Sequence, residues 1–317
     1  MVVAITTYKR YESLLRAVRS VIDQRIERLS ISIYDNGGDP SAERRLRSDL
    51  DTDVPIEYTL NSHNIGSVRN IVKSFDPGKS SYFIYLADDD YLLPGFISRS
   101  IKLLEENATC EFTVSPAKFV DECNIYRSKE RVSPKPRIHQ PSIRVLRDIV
   151  RGRIPYKWSG CVFRERTLIN PPRITEELGP FLDSHYILAL CAKYRFIEAN
   201  FHGAVYTVHS KSQSVSCRNF NREWPNWWSC ASRMVEQDES ILVHIRRNYR
   251  RLITPYFPRI VLSQILTLSR RLDANTIQDI VCEYMHVYGK ISLVSILGTF
   301  VYYNVKAITW LRNHTRL

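Results

Sequence analysis

The chain has 317 residues, of which 44% are hydrophobic and 11% aromatic, so it can bury a large core and is neither a disordered tail nor a fibre. Its net charge is +12. The seven cysteines are scattered without a C-x-x-C pair, which argues against a disulfide framework and a structural zinc site and favours a reducing compartment. No secretory signal is expected, because the N-terminus begins as a strand.

The first hundred residues predict strands that alternate with helices. Short apolar runs predict the strands, and apolar residues at helical spacing predict the helices. This alternation favours a mainly parallel, doubly wound α/β sheet. The fourth strand is apolar over nearly its whole length, which indicates burial on both faces. The predicted strands are residues 2–6, 29–35, 55–61 and 81–87, and the predicted helices are residues 11–24, 66–75 and 94–107.

After residue 110 the pattern is less regular. Strands are predicted over residues 110–120, 157–165 and 204–210, and a helix is predicted from Asp183. We expect a sheet domain over residues 1–216, followed by a mostly helical, basic extension over residues 217–317.

The predicted extension carries the most basic part of the chain. Residues 241–317 hold 11 Lys or Arg and three acids, a balance that attracts an anionic membrane surface or nucleic acid; a solvated basic face is the alternative. Val261, Ile265, Leu268 and Leu272 share one helical face. Residues 291–305 are uncharged but shorter than the ~20 residues of a spanning helix, so they predict an interfacial or core helix.

Polar clusters follow three of the predicted strands: TTYKR, YDNGG and ADDDYL. Parallel sheets bind ligands at the carboxyl ends of their strands. The adjacent carboxylates of Asp88, Asp89 and Asp90 repel one another, and Mg²⁺ or Mn²⁺ would offset that repulsion and hold a diphosphate. The alternative is an acidic turn in which Asp90 caps the helix at Pro94.

Four segments, in this order and spacing, resemble family 2 glycosyltransferases of the GT-A fold, of the bacterial surface-polysaccharide type. They are VVAITTYKRYESLLRAVRSVIDQ, ISIYDNGGDPS, NSHNIGSVRN and YLADDDYLLPGFI. A weaker resemblance continues through SGCVFRERTL, FLDSHYILALCAKY and YTVHSKSQSVS, so it covers about residues 2–216. The resemblance implies a GT-A-like sheet with a helical C-terminal extension.

The resemblance also implies where a nucleotide-diphospho-sugar binds. Asp35 matches the acid that contacts the base, and the start of the helix at residue 66 matches a segment that packs near the diphosphate. The implied donor-binding residues are Thr7, Tyr8, Arg10, Asp35, Asn36, Asn64, Gly66, Arg69, Asn70 and Asp88.

A Mn²⁺ or Mg²⁺ site is implied by the match of Asp88, Asp89 and Asp90 to the D-x-D element. Many members have D-x-D-D, and that alignment places Ala87 at the first acid. The metal pair is then Asp89 and Asp90, or Asp88 and Asp90. His209 matches a late histidine that reaches toward the metal or the diphosphate.

Asp183 is the implied catalytic base. The family has Glu-Asp at the start of a late helix, and here Leu182 replaces the first acid. An inverting transferase needs a base to take the proton of the acceptor hydroxyl. The alternative is a plain N-cap at the helix start.

These observations predict a metal-dependent, inverting glycosyltransferase. We expect the acceptor to be a saccharide or lipid-linked saccharide in surface polysaccharide synthesis, and the enzyme to be cytoplasmic and peripheral on the inner face of the plasma membrane. One alternative is a sugar-phosphate nucleotidyltransferase, but TTYKRYE lacks the glycine-rich loop that it needs. The other is a non-enzymatic basic protein that binds nucleic acid or membrane. Nucleic acid is the less favoured partner, since it leaves the acids at the strand ends without a role.

Overall fold

The computed structural model describes residues 1–208, apart from residues 77, 79, 122 and 156, and residues 220–253. In chain order the strands are β1 (Val2–Thr7), β2 (Ser30–Asp35), β3 (Ile56–Leu60), β4 (Tyr82–Ala87), β5 (Tyr91–Leu92), β6 (Phe112–Val114), β7 (Ala117–Asp121), β8 (Tyr126–Lys129), β9 (Arg137–His139), β10 (Cys161–Arg164), β11 (Phe196–Glu198) and β12 (Ala204–Val208). The α-helices are α1 (Tyr11–Ile22), α2 (Ala42–Asp49), α3 (Ser67–Ser74), α4 (Phe96–Glu106), α5 (Ile143–Val150), α6 (Leu182–Lys193), α7 (Phe220–Gln237) and α8 (Val243–Ile253).

The larger sheet has the strand order β3-β2-β1-β4-β10-β6-β11-β9. Its first four strands are parallel, with helices between them in the chain. β10 runs antiparallel to both β4 and β6, and β11 returns parallel to β6. The predicted α/β fold with a mainly parallel sheet is therefore confirmed, and the reversal at β10 accounts for the less regular pattern after residue 110.

A smaller sheet, in the order β5-β12-β7-β8, lies beside the larger one. The single strand predicted over residues 110–120 is wrong, because it is divided between β6 in the larger sheet and β7 in the smaller one. Pro116 stands at the break. Since proline has no N–H to donate, a strand that continued through it would lose a bond of the ladder.

Apolar cores lie on both faces of the larger sheet. On one face α1 contributes Leu14, Val18 and Val21, which its 3.6-residue period brings to one side. On the other face α6 is apolar almost all round, and nine of its twelve residues are buried. Residues 82–86 of β4 are buried between these cores, as the apolar run predicts.

Four aromatic rings pack in the core directly beneath the end of β4. Phe75 contacts Tyr85, Trp158 and Tyr186, with ring centroids 5.0–5.6 Å apart. Tyr85 and Trp158 meet edge to face at 4.7 Å. Aromatic pairs at such distances add stability beyond the area that they bury, so this cluster forms a rigid support for the loop that follows β4.

The start of the predicted extension packs on the sheet domain. Ala231 and Val235 of α7, together with Ile245 and Tyr249 of α8, are buried in the same core as α6. No helix within the described ranges is long and apolar enough to span a membrane. The predicted apolar helix face at residues 261–272 and the uncharged run at residues 291–305 lie outside those ranges.

Candidate active site

A cleft of about 820 Å³ opens at the carboxyl ends of the parallel strands. The register sets Thr7 beside Asp35 and Thr6 beside Ala87, so the polar segments after β1, β2 and β4 converge at one edge. The predicted residues that line this cleft are Thr7, Tyr8, Arg10, Asn36, Asn64, Gly66, Asn70, Asp88, Asp89, Asp90 and Asp183.

Two predicted residues, Asp35 and Arg69, do not line the cleft. Asp35 is buried beside the cleft, where its carboxylate accepts hydrogen bonds from the Gly38 N–H at 2.8 Å and the Tyr58 hydroxyl at 2.7 Å. Arg69 forms an exposed ion pair with Glu176 at 2.7 Å. His209 lies outside the described residues. The contact of Asp35 with a base stays a prediction.

A network of side-chain amides shapes the wall between β2 and α3. Asn36 donates to Asn64 at 2.8 Å and accepts from the Ile65 N–H at 2.9 Å. Asn61 donates to Asn70 at 2.9 Å. Gly66, with φ of +89°, makes the turn into α3, a conformation that costs little only for glycine. The loop is therefore fixed before any ligand arrives.

Asp88 is fully buried at the start of the acidic loop. Its Oδ2 accepts from Thr7 Oγ1 at 2.7 Å and from Arg10 Nε at 3.1 Å. Arg10 Nη2 forms an ion pair with Oδ1 at 2.6 Å. Burial raises the pKa of Asp88 to about 7 in spite of the opposing charge of Arg10.

Asp89 is the most exposed carboxylate of the three. Its side chain is 18% exposed and pairs with Arg10 Nη1 at 2.7 Å. Its backbone oxygen accepts from Arg16 Nη2 at 2.7 Å, and the Arg16 guanidinium lies over the Tyr91 ring at 4.8 Å. Arg16 thus holds the backbone of the loop, and Arg10 holds its carboxylates.

Asp90 is buried and joins the two sheets. Its Oδ1 accepts from the Thr207 N–H of β12 at 3.0 Å, and its Oδ2 accepts from the Ser159 hydroxyl. Burial, and then the neighbouring charge of Asp89, raise the pKa of Asp90 above its ordinary value. Both of its oxygens are therefore engaged by the protein.

The acidic loop suits a metal ion that shares its ligands with a substrate. Over the described part of the chain, no three His, Cys, Asp or Glu side chains cluster closely enough to hold an ion by themselves. Mg²⁺, however, usually takes one or two carboxylates and completes its shell with phosphates and water. The adjacent carboxylates of Asp88 and Asp89 both line the cleft and are the kind of oxygen ligands that such a site uses.

Asp183 lines the cleft from the first turn of α6. Its Oδ1 accepts from the Ser184 N–H at 2.5 Å and from the Ser184 hydroxyl at 3.2 Å. Both of these hydrogen bonds go to the same carboxylate oxygen, Oδ1. α6 begins at Leu182, and Asp183 accepts from the N–H of the next residue, whereas an N-cap side chain accepts from the N–H two or three residues further on. The partly exposed carboxylate faces the cleft, as the proposed base requires.

Several cleft residues escape prediction from sequence. Trp158 and Ser159 enter from a 3₁₀ turn, and Tyr206 enters from β12. Ser159 and Tyr206 begin two of the segments that carry the weaker family resemblance, SGCVFRERTL and YTVHSKSQSVS, but that resemblance implies no ligand role for either residue. Asn61 was detectable, since it directly follows β3 at the same edge of the sheet and donates into the amide network.

Comparisons with known proteins agree with this architecture. The family model described as glycosyl transferase family 2 matches residues 2–170. A curated relative, the uncharacterized glycosyltransferase MJ1057 of Methanocaldococcus jannaschii, is 25% identical over 122 residues, which are 38% of this chain and 42% of that protein. The chain therefore matches less than half the length of that relative.

Solved structures of S. aureus TarS share the fold. The crystal structure of TarS 1–349 has a TM-score of 0.65 at 9% identity, covering 90% of this chain and 78% of that one. Its complex with UDP-GlcNAc has a TM-score of 0.65 at 9% identity, covering 89% and 78%.

Proposed function

The chain belongs to glycosyl transferase family 2, and from this premise we propose that it transfers a sugar from a nucleotide-diphospho-sugar to the hydroxyl of an acceptor. One observation carries the proposal. A single cleft gathers the residues after β1, β2 and β4 with Asp183 of α6, so donor-binding groups and a candidate base face one space. Binding of nucleic acid would leave the acidic residues of this cleft without a ligand.

The proposed donor is a uridine-diphospho-sugar. The TarS complexes with UDP and with UDP-GlcNAc support this choice. Tyr8, 36% exposed at the cleft, and the amides of Asn36 and Asn64 offer a flat ring and polar groups to a nucleoside. Arg10 offers a guanidinium to the diphosphate, a pairing that arginine makes with two parallel hydrogen bonds.

A divalent cation, Mn²⁺ or Mg²⁺, completes the proposed site. Asp88 and Asp89 would hold it together with phosphate oxygens. Both pairs that the resemblance implies include Asp90, but its two oxygens accept hydrogen bonds from Thr207 and Ser159, so we assign it the role of bracing the loop against β12. When bound, such an ion stabilises the negative charge of the departing diphosphate. His209, which matches a ligand of this site by resemblance, lies outside the described residues.

Asp183 is the proposed base of an inverting transfer. Its carboxylate takes the proton of the acceptor hydroxyl as that oxygen attacks the anomeric carbon, and the nucleoside diphosphate leaves with the bonding electron pair. The Ser184 N–H and hydroxyl orient the carboxylate. Inversion follows because attack and departure occur on opposite faces of the sugar.

We further propose that the acceptor is a saccharide or lipid-linked saccharide at the inner face of the plasma membrane. The basic balance of residues 241–317 supports attachment to anionic lipids, at about 1 kcal/mol for each basic residue near the surface. Sedimentation with anionic liposomes and partial release by high salt is the expected result. If the protein sediments with neither anionic nor neutral liposomes, the proposed membrane attachment is wrong.

A thermal-shift panel tests the transferase proposal. UDP, GDP, CDP and dTDP are added with Mn²⁺, and a ligand that binds only the native state raises the midpoint of unfolding. We expect UDP to raise it most. If no nucleoside diphosphate shifts the midpoint while DNA does so at low salt, the binding-protein alternative is favoured instead.

A further inference from the structure

The strongest unexplained feature of the cleft is the position of Arg10. Its guanidinium contacts both Asp88 and Asp89, at 2.6 Å and 2.7 Å, and its Nε donates to Asp88 at 3.1 Å. One cation is thus shared by the two carboxylates to which the proposed function assigns the metal ion. The same guanidinium is the group that we expect to bind the diphosphate.

A cation at this position lowers the electrostatic cost of burying the Asp88 carboxylate. Asp88 is 0% exposed, and a buried carboxylate without a compensating charge is costly. Arg10 provides that compensation for Asp88 and reduces the repulsion from Asp89. While Arg10 pairs with both carboxylates, however, their oxygens are already bound by a positive charge. A divalent ion must therefore compete with Arg10 for them.

The Arg10 side chain borders the open cleft, and its backbone is held at the start of α1. Its backbone is fixed, since its carbonyl accepts from the Leu14 N–H at 3.0 Å at the start of α1. The preceding residue, Lys9, has φ of +54°, which turns the chain from β1 into the helix. The Arg10 side chain is nevertheless 40% exposed, so it can leave the carboxylates toward the open cleft.

We propose that Arg10 is a stand-in cation: it occupies Asp88 and Asp89 in the free enzyme, and the divalent ion displaces it onto the diphosphate. This inference rests on the proposed function, because it needs a metal ion and a diphosphate in this cleft. It explains why a single arginine is shared by the two candidate ligands. Metal and nucleotide should therefore bind cooperatively. The metal ion neutralises Asp88 and Asp89 once Arg10 has left them, and the diphosphate neutralises the displaced Arg10.

The exchange predicts effects of opposite sign when Arg10 is replaced. Arg10→Gln removes the competing charge, so Mn²⁺ alone should bind on the order of 10-fold more tightly than to the wild type. The same variant loses the diphosphate contact, so UDP at saturating Mn²⁺ should bind on the order of 10-fold more weakly. If Arg10 only oriented the aspartates, Mn²⁺ and UDP would both bind more weakly.

The test measures Mn²⁺ binding by electron paramagnetic resonance of the free ion, and UDP binding by calorimetry. Arg47→Gln is the matched control, because it also removes one arginine but Arg47 pairs with Glu43 on α2, at 2.8 Å. It should change the affinity for Mn²⁺ by less than about threefold. Arg10→Lys keeps the charge but cannot span both carboxylates, so its affinity for Mn²⁺ should lie between those of the wild type and Arg10→Gln.

Two results would overturn the inference: unchanged or weaker binding of Mn²⁺ by Arg10→Gln, or an equal gain in Arg47→Gln. Absence of Mn²⁺ binding in every variant overturns it as well. Failure of the proposed function has a different signature, because the wild type would then bind no nucleoside diphosphate at any Mn²⁺ concentration. The comparison of affinities for Mn²⁺ alone would still decide whether Arg10 competes with the ion.

Discussion

Replacement by alanine should affect different properties at the adjacent residues Asp89 and Asp90: ligand binding at Asp89 and stability of the fold at Asp90. Asp90 is buried, and both of its oxygens accept hydrogen bonds from the protein. Asp89 is partly exposed and pairs with an arginine that is itself 40% exposed. Asp90→Ala should therefore destabilise the fold, whereas Asp89→Ala should mainly impair the binding of metal and nucleotide.

The magnitude follows from the groups that each change leaves behind. Asp90→Ala strands the Thr207 N–H and the Ser159 hydroxyl, and each buried group without a partner costs about 1–3 kcal/mol. The expected loss is thus about 2–6 kcal/mol, out of the 5–15 kcal/mol that is typical of a folded domain. Asp89→Ala removes one exposed ion pair and should cost under about 1 kcal/mol.

Urea unfolding followed by circular dichroism measures the free energies of unfolding, and calorimetry with UDP and Mn²⁺ measures binding. Asp90→Asn is the matched variant, because its amide oxygen can still accept from Thr207; it should recover most of the stability. If Asp90→Ala unfolds at the urea concentration of the wild type but no longer binds UDP, Asp90 is a ligand of the ion and our assignment is wrong.

Three further changes probe the base, the packing and an ion pair. Asp183→Asn should keep the affinity for the donor and reduce kcat by about 10²–10⁴-fold, the usual contribution of a general base. Ser184→Ala is the control, and normal turnover by Asp183→Asn would show that Asp183 is not the base. Gly203→Ala should destabilise the fold by about 1–3 kcal/mol in urea, because the new Cβ would lie 2.7 Å from the buried Phe96 ring; an unchanged midpoint would show that this contact can relax. Burial opposes the ionisation of Glu198, but hydrogen bonds from His139 and then Arg137, with their charges, outweigh it and hold its pKa below the ordinary 4.5. Ionised Glu198 therefore stabilises the fold above pH 4.5, and this contribution is lost as the pH falls through the folded pKa. The difference in the free energy of unfolding between the wild type and Glu198→Gln should shrink below about pH 4.5, and a difference that does not change with pH would contradict this role of Glu198.

The first half of the fold is predictable because its signals are local. The apolar run of β4 and the helical spacing of Leu14, Val18 and Val21 each lie within one element. The strands β9 and β11 have three residues each, too few for a period to be recognised. The break at Pro116 was visible in the sequence, but the assignment of its two halves to different sheets depends on β10 and β12, which lie far along the chain.

The site was predictable as a location but not in its detail. Residues at strand ends of a parallel sheet converge whatever their identity, which is why eleven of the predicted residues line one cleft. The separate environments of the three aspartates depend on Arg10, Ser159 and Thr207, which are about 70 or more residues away in sequence. A run of three identical residues carries no information about such partners.

The proposed cleft binds a nucleoside diphosphate through a divalent ion. Calorimetric titration of the wild-type protein with UDP, in Mn²⁺ and again in EDTA, measures whether the ion is needed. We predict binding in Mn²⁺ and a loss of at least about 10-fold in affinity in EDTA, because residues 88–90 alone would repel a diphosphate. Equal affinity in both buffers would contradict the role of the metal, and absence of binding in both, extended to GDP, CDP and dTDP, would contradict the account as a whole.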